Sequence, residues 1–211
     1  MFMLQKNKEL MMVAQSFYEL MKARKSCRHF SNQTVDIDVL KTCILAAGAA
    51  PSGANKQPWF FSVVTNPDLK TEIRKSAELE EIEFYNKKAS PCFLNDLKPL
   101  NTSWSKPHLE EAAALILIFF KNYEMIDDKK SNCYYAKESV GIATGMLITA
   151  LHKVGYATLT HTPNPMGFLN RIANRPLNEK PFLILAVGHR SHKSESLMLN
   201  KKRLEEICEI L

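Results

Sequence analysis

The 211-residue sequence has no uninterrupted apolar stretch approaching the ~20 residues that a membrane-spanning helix needs. Its longest such run, Ala112 to Phe120, has the length of a buried strand with its approach. The opening "MFMLQKNKELMMVAQSF" interleaves Lys, Gln, Asn and Glu with Met and Leu, and lacks the continuous apolar centre of a signal peptide. A cytoplasmic protein with no membrane partner is therefore expected. No C-x-x-C pair occurs among the five cysteines Cys27, Cys43, Cys92, Cys133 and Cys208, and their number is odd. That argues against a zinc site and against a disulfide framework. Reduced thiols serving as small apolar or incidental residues are expected, with no metal bound. No G-x-G-x-x-G opens a helix and no Walker-type loop is present, so neither a dinucleotide-binding Rossmann unit nor a triphosphate site is indicated. Internal repeats, low-complexity blocks and long Pro/Gly/Ser linkers are also missing. One domain spanning residues 1–211 is the expectation.

The net charge of +6 raises the question of a polyanionic partner. Basic and acidic residues alternate through most of the chain, as in "KKRLEEICE", and no basic stripe interleaved with aromatics stands out. Nucleic acid is not the expected partner. The excess reads as solvated surface plus an anionic small-molecule site, and non-catalytic flavin or polyanion binding is the rival of another class.

What is present is an ordinary globular composition, 45% hydrophobic and 24% charged. Leu10 to Met21 reads as an amphipathic helix carrying Val13, Phe17, Leu20 and Met21 at helical spacing. Asp36 to Ala49 reads as a second helix. Trp59 to Val64 reads as a strand. Asn66 caps and Pro67 opens a long polar helix through "NPDLKTEIRKSAELEEIEFY". Residues 86–107 show no clear period and contain three prolines and Trp104, which suggests a lid or binding segment. "EEAAALILIFF" feeds a buried strand, Tyr134 to Val154 is a strong helix ended by Gly155, and "YATLTHT" and "PFLILAVGH" are strands. The irregular alternation indicates an α+β fold.

Two basic clusters stand out. "ARKSCRHFS" brings Arg24, Lys25 and Arg28 together with Ser26, a set able to grip a phosphate through charge-assisted hydrogen bonds. "LNKKRL" adds Lys201 near the other end. The loop "PSGANKQPW" joins a helix to a strand, where two to six residues would do for a bare connection. It carries Pro51, Ser52, Gly53 and Ala54 ahead of an anchoring Trp59.

Four motifs, "RKSCRHFS", "AAGAAPSGANKQPWFFSVV", "ESVGIATGMLITALHKVGYAT" and "EKPFLILAVGH", stand in the order and spacing of the flavin-dependent nitroreductase family, which this chain resembles from about Met21 to Leu204. The resemblance implies a central, mostly antiparallel sheet flanked by helices, and an intertwined homodimer with flavin mononucleotide (FMN) at the subunit interface. It implies cofactor contacts from Arg24, Lys25, Ser26, Arg28 and Lys201, from Pro51, Ser52 and Gly53, and from Thr160, His161 and Thr162. Lys25 and Lys201 stand where arginine is usual, which keeps the charge and loses the bidentate fork.

Glu81 and Tyr85 lie four apart, on one face of a helix, and Lys106 follows just beyond Trp104. An acid, a hydroxyl and a base are the minimal charge-complementary set for an α-amino acid. Glu-x-x-x-Tyr followed by W-x-K is similar to the zwitterion clamp of the iodotyrosine deiodinase branch. That likeness implies Glu81 on the ammonium, Tyr85 and Lys106 on the carboxylate, and the Ala54 N–H on the phenolate. It also implies Thr162 donating to flavin N5, which favours one-electron steps. His161 is a further candidate acid, because an imidazole can titrate near neutrality. The function expected is reductive dehalogenation of halotyrosines, fed by NAD(P)H or a separate reductase. A general NAD(P)H-dependent reductase of nitroaromatics or quinones is the alternative.

Overall fold

Among the described residues, seven α-helices and six strands form: α1 (Phe2–Ala23), α2 (Ile37–Gly48), β1 (Trp59–Val64), α3 (Pro67–Glu83), α4 (Pro91–Leu97), α5 (His108–Glu111), β2 (Ala114–Lys121), β3 (Tyr123–Ile126), β4 (Lys129–Asn132), α6 (Ala136–Lys153), β5 (Ala157–His161), α7 (Phe168–Ile172) and β6 (Glu179–Gly188). They are seen in a computed structural model that describes residues 2–100, 102–192, 194 and 199–211. No helix among the described residues is long and apolar enough to cross a membrane.

The main sheet is antiparallel throughout, in the order β1-β2-β6-β5. Its alternation explains why β2 reads as an unbroken apolar run. Ala114, Ile116, Ile118 and Phe120 enter a core formed with α2 and α6, through Leu40, Val140 and Leu147. Leu115, Leu117 and Phe119 enter a second core with Ile73 and Ala77 of α3 and Leu169 of α7. A strand covered on both faces needs apolar residues at every position.

Local chemistry sets the ends of the helices. The Asp36 carboxylate accepts from the N–H groups of Asp38 and Val39 and starts α2. Asn66 does the same for Asp68 and Leu69, with Pro67 at the first position of α3. Gly155, just past α6, adopts φ +90°, a conformation suited to glycine.

The structure adds a hairpin that the sequence reading did not anticipate. β3 and β4 are joined by Asp127 and Asp128, both with left-handed φ (47° and 60°), as a two-residue hairpin turn requires. Helix α1 is longer than the expected Leu10–Met21, and much of its apolar face lies outside the core. Met12, Val13 and Phe17 are exposed and border a groove of about 1250 Å³ completed by Ile142 and Met146 of α6.

Candidate functional site

Glu81 lies in the last turn of α3, whose Ile73 and Ala77 are fully buried against the sheet. Beyond Glu83 the helix widens into a π-helical turn, Phe84–Lys88, closed by the Ala89 N–H donating to the Phe84 carbonyl at 2.8 Å. Tyr85 sits in that turn, so it does not continue the α-helical face that carries Glu81, as the four-residue spacing had suggested. The two side chains converge nonetheless. They line one cavity of about 220 Å³ together with Lys106, Thr160, His161 and Thr162.

The segment expected to lack regular structure contains one. Ser90 accepts from the Phe93 N–H and Pro91 opens α4. None of the residues of α4 is buried. Its Phe93 packs edge-on against Phe84 with ring centroids 5.4 Å apart.

Lys106 returns the chain to the core and is almost enclosed. Its backbone N–H donates to Glu78 Oε1 at 2.6 Å, and the same oxygen accepts from Arg74 Nε at 2.8 Å. The Lys106 ammonium pairs with Glu81 Oε2 at 3.3 Å, donates to the Ser103 carbonyl, and stands 5.6 Å from the Tyr85 ring centroid. The Glu81 and Lys106 side chains are only 13% and 6% exposed. Burial raises the Glu81 carboxyl above its ordinary pKa, although Lys106 draws it down. Burial likewise lowers the Lys106 ammonium, although Glu81 draws it up. Desolvation thus outweighs the attraction on both sides, and the pair has room for better partners. Burial also raises the Tyr85 hydroxyl, with Glu81 adding to the effect.

His161 does not behave as a residue titrating near neutrality. It is buried, and burial, His108 and Lys106 push its pKa down to about 3. Burial thus disfavours the cationic imidazole that an acid role would need. His108, two residues after Lys106, packs edge-on against it at 5.5 Å and is lowered to about 3 for the same leading reason, burial. Sequence reading passed over His108.

The basic motif is divided by the edge of β5. The Cys27 N–H donates to the Thr158 carbonyl at 3.0 Å, and Ser26 bridges Thr158 in parallel. Arg24 and Lys25 open onto a cavity of about 380 Å³ that is also lined by Arg190 and, among the described residues, by no carboxylate. Arg28 lines a different cavity, shared with Lys106, His108, Thr160 and His161. Arg24, Lys25 and Arg28 form no ion pair among the described residues. Arg24 and Lys25, side by side at their own cavity, suit a phosphate. Arg190 had not been singled out from the sequence, whereas Lys201, which had, is exposed and outside that lining.

The Pro51–Pro58 loop is tightly wound. Ser52 Oγ accepts from the Gln57 N–H at 2.9 Å, and Ala54, Asn55 and Gln57 all take left-handed φ near 50°. Gly53 is needed for a close approach within the chain itself, since a Cβ there would lie 2.8 Å from the Tyr134 carbonyl oxygen. Pro51 and Ala54 are exposed, and the Pro51–Ala54 stretch borders neither the clamp cavity nor the basic one. A single chain does not bring this loop to the other site residues.

Comparison with known proteins fits this geometry. The profile of the nitroreductase family matches residues 21–189. An iodotyrosine deiodinase from Haliscomenobacter hydrossis is 46% identical over 183 residues, covering 86% of this chain and 82% of that protein. Human iodotyrosine deiodinase 1 is 41% identical over 202 residues, covering 95% and 70%. A crystal structure of oxidised iodotyrosine deiodinase bound to FMN and 3-iodo-L-tyrosine superposes with a TM-score of 0.78 at 30% identity, covering 89% of this chain and 96% of that one.

Proposed function

Because the chain belongs to the nitroreductase family, we propose that it is an FMN-dependent enzyme that reductively dehalogenates halotyrosines. The observation that carries this reading is the convergence of Glu81, Tyr85, Lys106 and Thr162 on one cavity. An acid and a base of opposite charge, both nearly enclosed, match the two ends of an amino-acid zwitterion. In the chain alone they pair with each other at 3.3 Å. A bound halotyrosine replaces that single contact with two, its ammonium on Glu81 and its carboxylate on Lys106 and Tyr85.

Bound FMN supplies electron transfer in single steps; two electrons and one proton turn a carbon–halogen bond into carbon–hydrogen and release halide. Arg24, Lys25 and Arg190 would hold its phosphate, with Ser26 beside them. Arg24 and Lys25 alone carry the two positive charges that offset a phosphate dianion, with Lys201 a peripheral contributor. Arg28, Thr160 and Thr162 would border the ring, Thr162 as a neutral hydroxyl donor. His161 lines the same cavities.

The loop of Pro51, Ser52, Gly53 and Ala54 would reach the cofactor from a second copy of the chain. Two findings support a homodimer: the separation of this loop from the clamp, and the apolar groove along α1 and α6. The Ala54 N–H, held by a left-handed backbone, would then face the substrate phenolate. Residues 86–107 would close over the substrate, since α4 rests on the site without burying a residue. NAD(P)H or a separate reductase supplies the electrons.

The test is substrate discrimination by Glu81→Gln. Iodide release from 3-iodotyrosine should fall far more than reduction of a simple nitroaromatic, which has no ammonium to hold. Equal loss on both substrates, or none, would remove the clamp and leave a general nitroreductase.

A further inference from the structure

His161 ends β5 only 8% exposed, and its Nε2 has no hydrogen-bond partner. The same nitrogen faces Glu81 Oε1 at 3.7 Å, while Glu81 Oε2 is taken by Lys106 at 3.3 Å. The ring of His108 stands edge-on to that of His161, centroids 5.5 Å apart. A buried ring nitrogen without a partner is costly, and protein interiors seldom leave one. Here the carboxylate oxygen that can satisfy it lies less than one ångström beyond hydrogen-bond range.

We propose that His161 is a positioning and specificity-determining residue, which takes hold of Glu81 as a zwitterionic substrate separates Glu81 from Lys106. The proposal rests on the reading of Glu81 as the ammonium partner. When Lys106 turns to the substrate carboxylate, Glu81 loses its internal cation. One of its oxygens then meets the substrate ammonium. The other is free to accept from His161 Nε2–H, which sets the direction of the carboxylate without adding charge. A cationic group in that place would compete with the ammonium, and a buried imidazole does not. The orphaned nitrogen of the ligand-free chain is thereby satisfied only in the complex. Part of the preference for an amino acid over a bare phenol follows from that.

The experiment uses oxidised holoenzyme and follows quenching of flavin fluorescence by 3-iodotyrosine and by 2-iodophenol, which has no amino-acid end. His161→Phe keeps a ring and removes the N–H. It should lower the preference for iodotyrosine over iodophenol about tenfold, equivalent to about 1.4 kcal/mol. His161→Gln, which retains an N–H donor, should restore most of the preference. In a Glu81→Gln background the effect of His161→Phe should vanish. If His161→Phe weakens both ligands alike, or acts equally with Glu81 replaced, the positioning role is wrong while the clamp stands. If Glu81→Gln itself leaves iodotyrosine binding unchanged, the clamp is wrong and this role falls with it. The wild-type protein gives an independent readout: the His161 Nε2 nitrogen resonance should move on adding iodotyrosine and not on adding iodophenol. No movement with iodotyrosine overturns the proposal.

Discussion

Strand β2 buries seven of its eight residues between two helical layers, whereas α4, in the segment that bridges Tyr85 and Lys106, buries none. The clamp residues fall at the border between these two kinds of structure. Glu81 extends from a helix whose inner face is core, and Lys106 is tied back to that helix through Glu78. Between them the chain is held by an aromatic edge contact and a few polar ones. An enzyme that grips a small zwitterion needs both conditions: charged groups fixed to about an ångström, and a cover that can leave. On the proposed reading the sheet supplies the first, and α4, which buries none of its residues, supplies the second.

The largest expected effect tests that division. Phe119→Ala removes a fully buried ring from the centre of the second core and should cost about 3–5 kcal/mol of folding stability. Phe93→Ala, at a position 42% exposed, should cost no more than about 1 kcal/mol, the worth of an aromatic edge contact. Because Phe93 lines the clamp cavity, it should weaken iodotyrosine binding all the same. Urea denaturation followed by circular dichroism, at one fixed protein concentration, measures both costs. Equal losses would make α4 part of the core and end its role as a cover.

Glu78 joins the two regions. Its Oε1 takes the Lys106 N–H and the Arg74 guanidinium together, and Glu78→Gln should cost about 1.5–3 kcal/mol. The sign of the pH dependence follows from its pKa. Burial alone would raise this carboxyl, but the Lys106 N–H and Arg74 outweigh it and the net shift is downward. A carboxylate lowered on folding stabilises the protein above its unfolded value, about 4.3, and ceases to do so as pH falls through the lower folded value. The stability gap between wild type and Glu78→Gln should therefore be constant near neutrality and narrow below about pH 4. A gap that widens on acidification would mean that Glu78 is not ionised in the folded chain.

The same division decided what could be read from the sequence. Strand β2, the Asn66–Pro67 start of α3 and the long α6 were legible because burial and capping impose residue types at each position. Glu81, Tyr85 and Lys106 stood out through the likeness to the iodotyrosine deiodinase branch, since their charges and spacing alone fit a solvated helix face equally well. Helix α4 was missed because seven residues give its apolar positions, Phe93, Leu94 and Leu97, too few turns to stand out as a period, although Ser90–Pro91 marked its start. The π-helical turn was missed for a related reason, since nothing in "FYNKK" distinguishes it from a further α-turn. His108 and Arg190 owe their positions to packing between distant segments, which residue spacing does not encode. Gly53 was legible as a close approach but to the wrong neighbour. Within the chain, the neighbour it admits is Tyr134.

The Pro51–Pro58 loop is neither core nor cover, and of two adjacent substitutions there only one should destabilise. Gly53→Ala places a methyl group 2.8 Å from a backbone oxygen, which cannot yield as a flexible side chain would. It should destabilise by about 1–3 kcal/mol, the range for overpacking. Ala54 instead holds a left-handed backbone, φ 49°, at a cost of about 1 kcal/mol for a residue with a Cβ. Ala54→Gly removes that strain but gives the unfolded chain more freedom, which offsets about 0.4–1 kcal/mol of the gain. The net change should be a stabilisation well under ~1 kcal/mol, or none. Function should move the other way. Without the Cβ the loop no longer favours a single direction for the Ala54 N–H, so affinity for the phenolate end of iodotyrosine should fall. Paired denaturation and fluorescence titration of Ala54→Gly decide the point. A variant that is both more stable and equally tight in binding would show that the left-handed turn serves the path of the chain and not the substrate.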